Sequence, residues 1–238
     1  MKFDYKLSHA TENKDGSSPE EQYYKSKGYD GELGIVAPNI YFRGGFEEEL
    51  KHIEFHDAPN FSDLSKPGYR FMSFKSADGT TKTYESHDRG EEDPSDYQWT
   101  PAYKQCPQIA AIIDWFKVPK TRVRIFQMKP GYWMPGHTDL ENEKGTKFGQ
   151  VSRIFVQLND NSNAEFGHRL ITQDSDVSIN LQKGQCLVFN QDRVTHSAWN
   201  LSKDRQRNLL ILLVKRNEWL DNIMKDRAQP TVIDLNTN

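Results

Sequence analysis

The sequence predicts a mainly β fold, a β-sandwich or jelly roll with helices at its flanks, on three observations. From about residue 119 onward, short strand-like segments follow one another at nearly regular spacing. Gly and Pro punctuate them, as expected where a chain turns between antiparallel strands. And although only 35% of the residues are hydrophobic, thirteen Phe, ten Tyr and five Trp supply bulky core material.

Residues 1 to about 30 are polar and contain the breaker cluster Asp15-Gly16-Ser17-Ser18-Pro19. Gly31 to Phe42 reads as a strand or extended segment, and Phe46 to Phe55 carries a short helical pattern. Residues 57–100 are rich in Gly, Pro, Asp and Ser, with two hairpin strands predicted at Tyr69–Lys75 and Thr80–Glu85 around Asp78-Gly79. The acidic stretch Asp88 to Asp96 reads as a solvated connection or as an active-site lid. Pro107 opens an amphipathic helix, Gln108 to Phe116, with Ile109, Ile112, Ile113 and Phe116 on one face.

The strand-rich part starts after Pro119. Thr121–Met128 alternates, and Lys129-Pro130-Gly131 turns. Ser152–Leu158, His168–Thr172, Val177–Leu181, Gln185–Asn190 and Asn208–Lys215 are the next strands, and Asn217 to Arg227 reads as a closing helix. The predicted organisation is one domain over 1–238: flanking helices, hairpin and loops in 1–118, a β core in 119–216, and a C-terminal helix and tail in 217–238.

Bulk properties narrow the function. A net charge of -3 with scattered Lys and Arg provides no basic footprint for nucleic acid. No apolar run approaches the roughly 20 residues of a membrane span, and Met1-Lys2-Phe3-Asp4-Tyr5 lacks the apolar region of a signal peptide. Cys106 and Cys186, far apart, form no C-x-x-C motif and read as buried thiols of a reducing compartment. The cytoplasm is the expected location.

The chemistry concentrates in Pro135-Gly136-His137-Thr138-Asp139. Residues two apart on a strand share a face, so this H-x-D pair presents an imidazole and a carboxylate together. A third ligand must come from a neighbouring strand, and His196 is the natural candidate. Two His and one carboxylate on one face of an octahedral iron leave three positions open. H-x-D alone is a weak signal; its surroundings strengthen it. Arg124-Ile125-Phe126, Pro130-Gly131, the H-x-D pair and Arg153-Ile154-Phe155 precede His196-Ser197-Ala198-Trp199-Asn200 and Arg205-Gln206-Arg207.

From about Thr121 to Val214 this pattern resembles the double-stranded β-helix (a cupin-like jelly roll) of the iron(II)/2-oxoglutarate dioxygenases. It is most similar to the aspartyl/asparaginyl β-hydroxylase and bacterial proline hydroxylase group. The chain departs from the group at Phe155, which stands where a second His is often found. Asp139, a carboxylate that related halogenases lack, argues for hydroxylation or desaturation over halogenation. The resemblance implies Fe(II), 2-oxoglutarate and O2 as cofactor and cosubstrates, with His137, Asp139 and His196 as metal ligands. It also implies an Arg after the distal His that grips the far carboxylate of 2-oxoglutarate, a task suited to the guanidinium fork. Both Arg207 and Arg205 fall near that spacing; Arg207 is favoured because it adjoins the apolar strand. Arg153 reads equally as a second carboxylate ligand or a structural ion pair, and Gln127 as a residue pointing into the barrel beside the cosubstrate. Trp133 and Trp199 flank the triad as candidate substrate walls, and Asn200 as the holder of a turn. His52, His56, His87 and His168 read as surface or loop residues.

The implied reaction hydroxylates an unactivated C–H of an amino acid, free or within a peptide, with release of succinate and CO2. The competing readings are a cupin-type metalloenzyme that does not use 2-oxoglutarate and a non-catalytic β-sandwich binding module.

Overall fold

The computed structural model describes residues 35–36, 40–58, 68–84, 94–137, 151–171, 176–189, 194–225 and 231–237. Before the core lie strands β1 (Ile35–Val36), β2 (Ile40–Arg43), β3 (His56–Asp57), β4 (Tyr69–Ser76) and β5 (Gln98–Trp99), and helices α1 (Phe46–Leu50), α2 (Ala102–Gln105) and α3 (Pro107–Trp115). The core runs through β6 (Lys120–Met128), β7 (Trp133–His137), β8 (Val151–Gln157) and β9 (Phe166–Ile171). It continues through β10 (Asp176–Ile179), β11 (Cys186–Phe189), β12 (Thr195–Asn200) and β13 (Arg207–Lys215). Helix α4 (Glu218–Lys225) and β14 (Thr231–Asp234) follow.

In the larger sheet the core strands lie in the order β11-β8-β13-β6, and in the smaller one β10-β9-β12-β7. All their ladders are antiparallel. Successive strands change sheet at every connection except the β9–β10 hairpin. This is a jelly roll, the double-stranded β-helix. β4, β3 and β1 widen the larger sheet, and β5 pairs with β4.

The side-chain period of two divides each strand of the larger sheet between two environments. Val123, Ile125, Ile154, Val156, Val188, Leu210 and Leu212 pack against Ile109, Ile112, Ile113 and Phe116 of the α3 segment and Leu220 of α4. Phe155, Leu187, Phe189 and Leu209 face the other way and meet Leu170, Leu181 and Val194 from the smaller sheet's side. The site lies on this second face. Helix α3 begins at Pro107, and its N-terminal donors are satisfied from outside: Glu49 of α1 accepts the N–H groups of Gln108 and Ile109 at 2.8 and 3.0 Å. A carboxylate suits that position because a helix start is electropositive.

Among the elements that differ from the sequence reading, two have a clear physical reason. The segment predicted as a second hairpin strand at Thr80–Glu85 does not form a ladder as far as it is described. Asp78 competes for its polar groups: the carboxylate accepts from the hydroxyls of Ser76, Thr80 and Thr83 and from the Thr80 N–H. These bonds, that of Thr83 foremost, hold the Asp78 carboxyl down to about 2. Short polar side chains that bond their own backbone neighbours divert the chain from strand pairing in this way. The other difference is β14, a four-residue strand parallel to β2 that was read as tail.

Gly184 anchors β2 to the core. Its carbonyl accepts from the Phe42 N–H at 2.9 Å, and its own N–H reaches the Gln157 carbonyl at 2.7 Å. It adopts φ +77°, and a Cβ there would stand 1.9 Å from the Phe42 carbonyl oxygen, so both conformation and space demand glycine. No described helix is long and apolar enough to cross a membrane. Cys106 and Cys186 are free and buried.

Candidate active site

His137 closes β7 and His196 lies near the start of β12, directly opposite each other in the ladder. Their ring centroids are 4.3 Å apart. Each ring makes the same local bond, from Nδ1 to the carbonyl two residues earlier: Pro135 at 3.0 Å for His137 and Val194 at 3.2 Å for His196. A carbonyl only accepts, so Nδ1 carries the proton and the lone pair belongs to Nε2. That is the tautomer a metal requires, with the outer hydrogen bond that orients such ligands. Among the described residues no third His, Cys, Asp or Glu joins them. Asp139, the predicted third ligand, lies outside the described residues, as does most of the Asp88–Asp96 segment read as a lid.

The facing pair depends on an irregularity in β7. His137 pairs with His196 and Met134 with Ala198, so three residues of β7 span what two residues of β12 span. The extra residue is a β-bulge at Pro135-Gly136, where Pro could not have donated to the ladder in any case. Without it, His137 would share the face of Trp133. Trp133 instead pairs with Trp199. Trp199 is three residues from His196 and points to the opposite side of the smaller sheet, its indole packed over Gly167. A Cβ at Gly167 would meet that ring at 2.2 Å. Both tryptophans, expected as pocket walls, therefore stand on the outer face, and Trp133 is 41% exposed.

Arg207 opens β13 on the face of Leu209 and is 2% exposed. Its Nη1 donates to the carbonyls of Gly167 (2.9 Å) and Trp199 (3.3 Å), its Nε to Gln157 Oε1 (3.3 Å), and its Nη2 to His168 Nε2. Every one of these acceptors is neutral, and no carboxylate among the described residues pairs with it. Burial pulls the guanidinium down to about 9, which leaves it cationic at neutral pH. A buried cation held by neutral acceptors is an arrangement that an anionic ligand completes.

Arg205, the other candidate, sits in a different environment. It is ion-paired with Glu165 and Asp160, and its side chain is 35% exposed. Its guanidinium also lies over the Phe166 ring. Asn200 holds the adjoining turn, donating to the carbonyls of Met128 and Arg205 and accepting from the Ser202 N–H. Gln127, expected inside the barrel, shares the helix-side face with Val123 and Ile125. There its amide bonds Asn208 at 3.1 Å and takes a bond from Arg70. Arg153 lies on the cavity side of β8, level with Phe189 and Leu213.

The sequence reading also misplaced His168. It is not on the surface but 1% exposed on β9, beside Ala198 of β12, with its ring 5.0 Å from that of Phe155. Burial, with Arg207 and then His196 adding to it, drives its pKa well below 6.5, so the ring is neutral at pH 7. The signal was present: His168 is in phase with Phe166 and Leu170, both buried, on an alternating strand.

A model of the aspartyl/asparaginyl beta-hydroxylase family matches residues 75–217, more than half of the chain and every core strand. No curated protein matches the chain. Among solved structures it is similar to an oxidoreductase of the 2OG-Fe(II) oxygenase family from Burkholderia pseudomallei, with 12% identity over 72% of this chain and 76% of that one and a TM-score of 0.44. A prolyl-4-hydroxylase from Pseudomonas putida shows 13% identity over 72% and 82%, with a TM-score of 0.45. A prolyl hydroxylase from Trichoplax adhaerens, in complex with a hypoxia inducible factor oxygen degradation domain peptide fragment, shows 13% identity over 82% and 86%, with a TM-score of 0.47. Likenesses this distant carry no weight below; the strand order and the family match do.

Proposed function

The chain belongs to the aspartyl/asparaginyl β-hydroxylase family of iron(II)/2-oxoglutarate oxygenases, and from that premise we propose that His137, Asp139 and His196 hold the iron while Arg207 holds the far carboxylate of 2-oxoglutarate. The observation that carries this reading is Arg207, a buried cation without a carboxylate among the described residues, on the same inter-sheet side as two facing histidines.

The donor set suits the metal. Two imidazole nitrogens and a carboxylate oxygen favour Fe(II) and leave coordination positions for ligands. When bound, iron supplies the oxygen activation that couples decarboxylation of 2-oxoglutarate to hydroxylation of a C–H bond. The protein's part is positional. The Pro135 and Val194 carbonyls fix the two rings through Nδ1. Arg207 orients the cosubstrate from its far end by its charge and by the one N–H, on Nη2, that its neutral partners leave. Phe155, Leu170, Phe189 and Leu209 line the cavity and keep water from it. Arg153 acts as a second carboxylate contact from β8.

We propose an amino-acid side chain, free or within a peptide, as substrate, and one oxygenase domain over 1–238 with its core at 119–216. We place the enzyme in the cytoplasm on the strength of its two free thiols. A cupin-type enzyme without 2-oxoglutarate would leave the buried charge of Arg207 without an anion, and a binding module would leave the paired histidines without a role.

The test is the thermal midpoint with Mn(II) or Fe(II), each with and without 2-oxoglutarate, because a ligand that binds only the folded state raises it. The expected result is a rise with metal and a further rise with 2-oxoglutarate, together with succinate formation under air. A rise with metal alone favours the cupin reading. No rise with either, and unchanged metal content in His137→Ala, overturns the proposal.

A further inference from the structure

We infer that Phe155 sets the chain length of the 2-oxo diacid the enzyme accepts, as a rigid floor beneath the middle of that molecule. The inference rests on the oxygenase reading and adds to it a specificity-determining residue. The face of β13 that carries Arg207 continues through Leu209 and Ile211 to Leu213, since residues two apart share a side. Phe155 of β8 stands beside Ile211 in the ladder, with Gln157 beside Leu209 and Arg153 beside Leu213. Phe189 of β11 is level with Arg153, and its ring lies 5.3 Å from that of His196. Arg207 thus marks one end of this face, and the histidine pair stands over the other. A molecule held by Arg207 and by a metal on the histidines crosses the rungs between them. On β8, Phe155 is the residue of that face between Gln157, which bonds Arg207, and Arg153.

The Phe155 ring is clamped from both sides. His168, the acceptor for Arg207 Nη2, packs on it at 5.0 Å with 32° between the planes. Phe189 meets it edge-on at 4.9 Å and 83°. All three side chains are buried. The rings of His196, Phe189, Phe155 and His168 therefore form an unbroken column from the metal side to the Arg207 side. Interiors packed in this way have little room to yield. Between its two charged ends 2-oxoglutarate carries two methylenes, which an aromatic surface suits. A chain one methylene longer, tied at the same two ends, must bow. A clamped ring resists that bow where a flexible side chain gives way.

The experiment compares 2-oxoglutarate with 2-oxoadipate, the same diacid with one more methylene. Dissociation constants are measured by calorimetry on the Mn(II)-loaded full chain, without turnover. Wild type should prefer 2-oxoglutarate roughly tenfold or more, the size expected when a pocket reads one methylene. Phe155→Leu, which removes both ring contacts, should shrink that preference to about threefold or less. Phe155→Met, which keeps bulk but not rigidity, should act the same way, and it decides the matter if the Leu variant does not fold. A residue that served only the stability of the core would weaken both diacids by one factor and leave their ratio alone.

An unchanged ratio in the folded variant, or a wild type that binds both diacids equally, overturns the inference and leaves the oxygenase reading intact. If wild type binds neither diacid, the oxygenase reading fails and this inference with it.

Discussion

His137 faces His196 across the β7–β12 ladder with ring centroids 4.3 Å apart. Trp133, four residues before His137 on the same strand, points to the other side of the sheet. One inserted residue separates the two orientations, since a strand that gains a residue turns everything beyond it over. The bulge at Pro135-Gly136 is therefore as much a part of the proposed metal site as the imidazoles.

Deleting Gly136 should restore a regular ladder and carry His137 to the outer face beside Trp133. Mn(II) binding, followed by electron paramagnetic resonance, is expected to be lost while the far-ultraviolet spectrum of the β core is kept. Undiminished Mn(II) affinity in a folded deletion variant would contradict this account of the bulge.

The two neighbouring arginines should separate cleanly. Arg207→Gln removes the buried charge and is expected to weaken 2-oxoglutarate on the order of a hundredfold, the scale seen when one member of a buried charge pair is truncated. Arg205→Gln breaks only a partly exposed pair with Glu165 and Asp160. It should leave the dissociation constant unchanged and cost less than about 1 kcal/mol of stability. Calorimetry and urea titration of the two variants decide it; similar losses of affinity would count against the assignment.

Gly184→Ala should destabilise the fold without touching the site. At φ +77° an alanine costs about 1–2 kcal/mol in backbone conformation, and the clash with the Phe42 carbonyl adds to this. The total is on the order of 3 kcal/mol, visible as a lower urea midpoint with 2-oxoglutarate affinity kept. A midpoint equal to that of wild type would show that β2 does not depend on this contact.

Acid should weaken the protein through His168. Its folded pKa lies well below 6.5 because of burial first and Arg207 second, whereas the unfolded ring takes up a proton near 6.5. Below 6.5 the unfolded state thus binds more protons, and stability falls as pH falls until the folded pKa is reached. Above 6.5 the ring is neutral in both states and contributes no slope. One proton corresponds to roughly 1.4 kcal/mol per pH unit. His168→Phe should flatten the curve of stability against pH below 6.5 by up to that slope, and parallel curves for the two proteins would exclude this origin.

Six of the eight core strands from Lys120 to Lys215 were legible because each alternates or turns where Gly and Pro indicate; β7 and β12 were not delimited, and their two histidines were named from the H-x-D spacing and the family resemblance. The orientation of individual side chains was harder to read. β6 runs Arg122-Val123-Arg124-Ile125, which reads as a wet face and a dry face. Both faces are in fact buried, with Arg122 5% and Arg124 7% exposed on the cavity side. A jelly roll with a polar interior inverts the usual rule, which is why Gln127 and His168 were assigned to the wrong environments. The tryptophans were misplaced because a bulge leaves no trace in a period-two pattern beyond the Pro-Gly that makes it possible. β14 escaped because its stability comes from pairing with β2, almost the whole chain away, and its own residues are largely exposed.

Arg207 also ties the molecule together: a residue of the larger sheet, it is fastened to Gly167, His168 and Trp199 of the smaller one. A mutation there removes a cross-brace and the proposed ligand contact in one event. On that proposal folding and catalysis impose their demands on a single position, and a lineage could not relax its cosubstrate preference at Arg207 without first acquiring another fastening between the sheets.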